Sequence, residues 1–205
     1  ANTGPRMNGM PIKALKSFVL PEAEEKALRA ATAKYNVPYA LARFVMAKES
    51  TNQHHTFDKK GNVSGVKTSP TGAIGYMGIL PSTGADMGYS KKDLLDPVKN
   101  IEAGVRYIAW VQNFVTNPNN GLIKPEYKNL DKTNDYTMMA YNWGIGNVQK
   151  HKKNMLKMAQ SNVDRSNMGW QDRLFDQNRA DSGQGWQERD AKQYAALSRV
   201  WGSGE

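Results

Sequence analysis

A single glutamate, Glu49, stands at the C-terminal end of a segment whose pattern predicts a helix over residues 38–49. On a helical wheel, Ala42, Val45 and Met46 lie within about 60° of it. Partial burial beside this apolar stripe, together with the negative end of the helix dipole, would raise the pKa of the carboxyl. A carboxylic acid that stays protonated near neutral pH is the proton donor that cleavage of a glycosidic bond requires. The wheel alone favours a solvated helix end, because most Glu residues are exposed.

The elements that must position this carboxyl are mainly helical. Helices are expected over residues 21–35, 38–49 and 97–114, with a proline at the start of each and Asp96 as the N-cap of the third. A small hairpin about Lys60-Gly61 is expected between the second and the third. Short helices before residue 96 should be broken at Pro81, Gly84 and Gly88. Beyond a loop over residues 116–134, helices are expected from residue 135 and over residues 187–201.

The chain of 205 residues is long enough for one domain with a proper core. Residues 1–20 show little periodicity and predict an N-terminal arm. Residues 21–150 are expected to form the domain itself. The polar segment 151–205, with its final helix, is expected to pack on the same domain. The sequence begins at Ala1 without a charged and then apolar leader, so we expect a processed or trimmed chain.

Composition excludes several classes of function. Cysteine is absent, which excludes disulfides, cysteine metal sites and a thiol nucleophile. The three histidines, His54, His55 and His151, are too few and too poorly arranged for zinc, so neither a metal nor a cofactor is expected. No apolar run approaches the ~18 residues of a membrane span.

The charge balance favours a polyanionic partner. Lys and Arg total 28 against 19 Asp and Glu, which gives a net charge of +9. This charge is dispersed, and no basic helix or aromatic nucleic-acid motif accompanies it. Nucleic acid is therefore not expected as a partner, whereas an acidic cell-wall polymer fits.

Four motifs follow Glu49-Ser50 in order: SPTGAIGYM at residues 69–77, LPST at 80–83, a segment from Asp96-Pro97 to Tyr107, and AYNWG at 140–144. Together they resemble the lytic transglycosylases of the soluble (SLT) type, which are relatives of goose-type lysozyme. The family pattern is a helix ending in Glu-Ser, a Ser-Pro-x-Gly-Ala-x-Gly-x-Met-Gln segment, a Pro-x-Thr turn and Ala-Tyr-Asn. The resemblance covers about residues 25–148. It implies a mainly α, lysozyme-like domain with a small β-hairpin or loop insertion.

The resemblance also implies a role for each site residue. Glu49 would be the catalytic acid and base. Ser69 would bond to the N-acetyl region of the substrate or to a water in the site, and Met77 would line the cleft. Tyr141 would hydrogen-bond to the Glu49 carboxyl and hold it in place, supported by Asn142.

Two departures from the family pattern stand out. Gly78 follows the methionine where the family has Gln, which removes a side chain able to hydrogen-bond in the cleft. Either another residue substitutes for it, or activity and subsite preference differ. Glu49 and Ser69 are twenty positions apart, wider than the common family spacing. The insertion Phe57–Lys67 accounts for the excess, either as a flap over the cleft or by displacing Ser69.

The substrate implied by the resemblance is peptidoglycan, cut between N-acetylmuramic acid and N-acetylglucosamine. With one acid, the muramoyl 6-hydroxyl closes a 1,6-anhydro ring, and no water is consumed. The family's place of action is the periplasm, the cell wall or the outside of the cell. A larger wall-penetrating assembly, such as a virion or a secretion machine, is an expected partner.

Two other functions stay open. In a muramidase of the hydrolase type a second acid positions water, and Asp58, Asp86 and Asp96 are its candidates, although Asp58 suits a turn and Asp96 suits a helix N-cap. A non-catalytic protein that binds the cell wall is the alternative favoured by Gly78. The retention of Glu49 and Tyr141 argues against it.

Overall fold

The computed structural model of the chain describes residues 19–117, the strand residues 6–7 and 10–11, and positions 137 and 141. The chain divides into two compact units, with the boundary between Ala109 and Trp110. Within residues 1–20, strand β1 (Arg6–Met7) pairs antiparallel with β2 (Met10–Pro11). The divisions predicted at residues 20 and 150 stay predictions.

Two helices open the first unit, α1 (Glu22–Tyr35) and α2 (Tyr39–Ser50). Each begins directly after a proline, whose fixed φ and missing N–H suit a helix start. Helix α1 ends at Asn36, whose left-handed backbone turns its amide back toward the carbonyls of Thr32 and Ala33. The two predicted helices are confirmed, with ends shifted by about one residue.

Helix α2 is buried on every side rather than along one stripe. The predicted stripe of Ala42, Val45 and Met46 is buried, and so is every residue from 39 to 47. A helix surrounded in this way is a central element of the core, and its position is fixed from all directions. This matters because Glu49 lies at its end.

The predicted hairpin is confirmed and follows α2 directly. Strand β3 (His55–Phe57) pairs antiparallel with β4 (Val63–Val66), with an irregularity in register after the second residue of β3. In the turn, Oδ1 of Asp58 accepts hydrogen bonds from the amides of Lys60 and Asn62, at 2.8 and 2.9 Å. Asp58 is thus the turn residue that its position predicted.

Three helices complete the described part of the chain: α3 (Pro81–Asp86), α4 (Lys91–Leu95) and α5 (Pro97–Thr116). Asp96 caps α5 as predicted, because its Oδ1 accepts from the amides of Val98 and Lys99, at 2.8 and 3.1 Å. The break predicted at Gly84 is wrong. Gly84 lies inside α3, where a Cβ would come within 2.7 Å of Leu94 Cδ1, so its glycine serves close helix packing.

None of the helices in the described ranges is long and apolar enough to cross a membrane. The predicted loop over 118–134, the polar segment and the last helix lie outside the described residues. Within the helix predicted from residue 135, Thr137 and Tyr141 are helical.

Candidate active site

The Glu49 carboxyl emerges where α2 leaves the core. Glu49 is the penultimate residue of the helix and is partly exposed, in contrast to the buried residues before it. The chain then turns through Thr51 and Asn52, which both adopt left-handed backbone conformations, with φ of 56° and 61°. A β-branched threonine rarely adopts this conformation, so the helix ends under backbone strain directly after the acid.

A short loop, residues 74–79, lies against this helix end; we call it the site loop. Ile74 and Ile79 close it with two reciprocal backbone hydrogen bonds of 2.9 and 3.1 Å. Between them, the Gly78 amide donates to the carbonyl of Gly75 at 3.2 Å. Both glycines have positive φ, 72° and 59°, which lets the chain reverse within four residues.

Gly78 brings the backbone of the site loop into contact with the Glu49 side chain. A Cβ placed on Gly78 would lie 2.7 Å from Oε2, 3.1 Å from Cβ and 3.3 Å from Cδ of Glu49. The first distance is too short for any real Cβ contact. A residue with a Cβ at this position would therefore make the end of the Glu49 side chain shift, and it would also be strained by the positive φ.

Asn100 of α5 fixes the site loop from beneath. Its side chain is fully buried, and its Oδ1 accepts from the amide of Met77 at 2.9 Å. Its Nδ2 donates to the carbonyls of Ile74 and Leu94, at 3.0 and 2.9 Å. The side chain thus hydrogen-bonds to three backbone groups, and it joins the site loop to the end of α4.

A comparison with known families identifies the family of the chain. The family described as the transglycosylase SLT domain matches residues 26–163, more than half of the chain. The chain belongs to this family. The SLT domain is a lysozyme-like, mainly helical fold with a small antiparallel sheet, as predicted, and it acts on the peptidoglycan of the cell wall. At the level of the family, the activity is that of a glycosidase-like lyase.

The SLT motif around Ser69 forms a turn of its own. The Ser69 hydroxyl accepts from the amide of Ala73 at 3.0 Å and lies 2.9 Å from the hydroxyl of Thr71. The Ser69 amide donates to the Ala73 carbonyl at 2.8 Å. Contact of this hydroxyl with substrate stays a prediction, since these bonds describe only how the turn holds its shape.

Of the other predicted site residues, the structure describes Met77 and Tyr141. Met77 has no exposed surface, and its side chain fills the space over Gly104 of α5, so it anchors the site loop in the core. Its predicted contact with substrate stays a prediction. Tyr141 is helical and partly buried, and Asn142 lies outside the described residues. The support that the two would give to Glu49 likewise stays a prediction.

The insertion after α2 is tied to the end of that helix. The Lys67 ammonium donates to the carbonyl of Ser50 at 2.9 Å, and the Lys67 amide donates to the carbonyl of His54 at 2.8 Å. A lysine at a helix C-terminus offsets the partial negative charge of the last carbonyls. The base of the hairpin is therefore fixed to the helix end that carries Glu49.

The sequence motifs did not predict that Asn100 and His54 would support the site loop. Asn100 belongs to a recognised motif, yet nothing in the sequence indicated which backbone groups it would bind. His54 was considered only as a metal ligand. Its Nδ1 accepts from the amide of Tyr76 at 3.2 Å and its Nε2 lies 2.7 Å from the carbonyl of Leu95, so both nitrogens are already used. Among the residues that the structure describes, no three side chains are grouped to hold a metal ion.

Burial sets the protonation of two side chains at the site loop. The pKa of His54 is lowered, mainly because burial disfavours the charged ring. Burial raises the pKa of Tyr76 to about 12, with a contribution from the negative charge of Glu24 and an opposing one from Arg43. Both residues are therefore neutral at neutral pH, and the loop carries no buried charge of its own.

Proposed function

We propose that the chain is a lytic transglycosylase that cuts the β-1,4 bond between N-acetylmuramic acid and N-acetylglucosamine, with Glu49 as acid and then base. The placement of Glu49 carries this proposal. Its carboxyl stands at the end of a buried helix, is partly open to solvent, and has a glycine backbone against one side. The helix behind Glu49 holds it rigidly, and the residue beside its carboxyl is a glycine with no side chain. Both features suit an acid that must reach a bulky glycan strand.

The proposed reaction needs only one carboxyl. Protonated Glu49 donates its proton to the bridging oxygen as the bond from the muramoyl C1 to that oxygen breaks. The N-acetyl group of the substrate stabilises the cation that develops at C1. Glu49, now a carboxylate, takes the proton of the muramoyl 6-hydroxyl, and the bond between that oxygen and C1 closes the 1,6-anhydro ring. An intramolecular nucleophile has a high effective concentration, which reduces the need for a second acid.

The contacts of the candidate second acids favour this reaction over hydrolysis. Asp58 is held in the hairpin turn by two backbone amides, and Asp96 caps α5. Both carboxylates thus have structural partners. Asp86, at the end of α3, is exposed and is the remaining candidate for a hydrolase.

Gly78 is compatible with a catalytic function. The end of the Glu49 side chain lies where a Cβ at position 78 would be, so the glycine leaves room for the carboxyl. The non-catalytic alternative that Gly78 favoured is decided by the assay on sacculi.

The decisive experiment is Glu49→Gln, assayed on purified sacculi with mass analysis of the released fragments. The amide keeps the size of the side chain but can neither donate nor accept the proton in turn, so a loss of at least about a hundredfold is expected. The matched control is Glu22→Gln, an exposed glutamate in the first turn of α1, which should digest sacculi at the parental rate.

The fragments separate the three functions. Anhydromuramoyl ends support the transglycosylase, and reducing muramoyl ends would show a hydrolase. In the second case, Asp86→Asn should reduce the rate as strongly as Glu49→Gln. If the parental protein bound sacculi and released nothing, the catalytic proposal would be wrong. Attachment to a virion or a secretion machine stays a prediction, tested by isolating such an assembly and probing it for this chain.

A further inference from the structure

The buried ring of His54 connects the site loop to α4 and has no part in the proposed reaction. The residue is only 2% exposed, although it starts the segment that leads into the exposed hairpin. Its two ring nitrogens contact backbone groups from different elements, the Tyr76 amide at 3.2 Å and the Leu95 carbonyl at 2.7 Å. These two hydrogen bonds join the site loop to the end of α4, and we call them the His54 bracket.

The partners of the ring allow only one protonation state. The Tyr76 amide is a donor, so Nδ1 must be unprotonated, and the Leu95 carbonyl is an acceptor, so Nε2 must carry the hydrogen. A second proton on the ring would place two donors face to face, Nδ1–H against the Tyr76 N–H. The bracket therefore holds only while His54 is neutral.

The Tyr76 amide is close to the catalytic contact along the chain. Tyr76 lies two residues before Gly78, whose backbone packs against the Glu49 carboxyl. Gly75 also lies tightly against the ring, since a Cβ there would be 2.5 Å from Nδ1 of His54 and from Nδ2 of Asn100. Movement of the ring must therefore be followed by the site loop, because no space is left between them.

We propose that His54 is a positioning residue for Glu49: the neutral ring holds the Tyr76 amide, this holds Gly78 against the catalytic carboxyl, and protonation of the ring releases the loop. The proposal rests on the proposed role of Glu49. On this proposal His54 affects kcat through the position of Glu49, and its ring does not contact the substrate.

The charges around the ring come from three directions. His55 is the first residue of β3, Asp96 lies at the start of α5, and Glu24 lies on α1. Burial, the dominant effect, and the neighbouring His55 lower the pKa of His54, whereas the Leu95 carbonyl and the two carboxylates raise it. The net direction is downward, so the bracket stays closed at neutral pH and opens in acid below the usual range of histidine.

Two amide substitutions separate the two hydrogen bonds. His54→Asn keeps an acceptor near the position of Nδ1, and His54→Gln keeps a donor near the position of Nε2. Both variants lose one hydrogen bond and part of the ring, so their losses of stability should be similar. Only His54→Asn can still hold the Tyr76 amide. We expect its kcat on sacculi fragments to stay within about threefold of the parent, while that of His54→Gln falls about tenfold or more.

The pH profile and amide exchange provide readouts that a merely structural role would not move. The parental kcat should show a fall in acid that follows the titration of the His54 ring by NMR, and His54→Asn should lack this component. Hydrogen exchange at the Tyr76 amide should be slow in the parent and in His54→Asn, and fast in His54→Gln. His55→Gln, which removes the adjacent imidazole, is the control and should match the parent in exchange and in kcat at neutral pH.

Equal kcat and equal Tyr76 exchange in the two variants would overturn the proposal, as would NMR evidence for a proton on Nδ1 at neutral pH. If both variants fail to fold, the parental protein still decides the question through the pH dependence of its Tyr76 exchange and kcat. Parental protein without activity on sacculi would refute the proposed function, whereas the exchange data would test the bracket separately.

Discussion

The Glu49 carboxyl occupies the space that a side chain at position 78 would need: a Cβ on Gly78 would lie 2.7 Å from Oε2 of Glu49. The two residues come from different elements, the end of a buried helix and a four-residue turn. Where the family pattern has glutamine, this chain has a glycine whose backbone packs against the end of the Glu49 side chain.

Replacing Gly78 with alanine should reduce activity more than stability. The new methyl group must either displace the Glu49 carboxyl or shift the site loop, and a small displacement of a catalytic group can cost up to about a hundredfold in rate. The positive φ adds strain of about 1 kcal/mol. The measurement is kcat on glycan fragments together with the free energy of unfolding in urea.

Gly88→Ala is the matched control for that variant. Gly88 also has a positive φ, 89°, but its Cβ would meet only the end of the Arg106 side chain at 3.3 Å. It should lose a similar amount of stability and keep the parental kcat. Equal loss of activity in both variants would show that backbone strain, and not the contact with Glu49, causes the effect.

Asn100→Ala should be strongly destabilising. The substitution leaves the Met77 amide without its Asn100 partner and removes the Asn100 donor from the carbonyls of Leu94 and Ile74, of which Ile74 keeps the Ile79 amide; the loss should be about 2–4 kcal/mol. Chemical denaturation measures it. Asn113→Ala, an exposed change on the same helix, should stay within about 0.5 kcal/mol of the parent. A loss for Asn100→Ala no larger than this would contradict the role given to its amide.

The stability of the protein should depend on pH through His54. The pKa of this ring is lowered in the folded protein from its usual value of 6.5, because burial disfavours the charged form. Below pH 6.5 the unfolded chain therefore binds the proton more readily than the folded one. The contribution of the group is present in full above that value and is lost as the pH falls toward the folded pKa.

The measurement is the free energy of unfolding of the parent minus that of His54→Asn, followed from neutral pH into acid. The difference should shrink as the pH falls, because the amide does not titrate. A difference that is constant with pH, or that grows in acid, would contradict the direction of the pKa shift.

Tyr141→Phe tests the hydrogen bond that Tyr141 is predicted, from the family resemblance, to make to the Glu49 carboxyl. Removal of the phenol hydroxyl should lower kcat by about tenfold to a hundredfold and change KM little, since a group that orients the acid acts on the reacting state. Tyr35→Phe on α1 is the control for loss of a tyrosine hydroxyl. Unchanged kcat in Tyr141→Phe would remove Tyr141 from the site.

Local signals in the sequence were sufficient for the secondary structure around the site. The prolines at positions 21, 38 and 97 fixed the helix starts, and Asp58 and Asp96 took the turn and cap positions that their types favour. These are interactions within a few residues, so the chain itself contains the information. Gly84 shows where local signals fail. The sequence predicted a helix break there, whereas the glycine allows close packing against Leu94, a contact between two helices.

The sequence by itself determined the family and the mainly helical class, and it predicted Glu49 as the acid, because motif order and helical periodicity are properties of the linear chain. Only the tertiary structure decided how that acid is held. The contact of Gly78 with Glu49, the two hydrogen bonds of His54 and the bond from the Met77 amide to Asn100 join residues 22 to 41 positions apart. Such contacts depend on the packing of whole elements, and no local spacing specifies them.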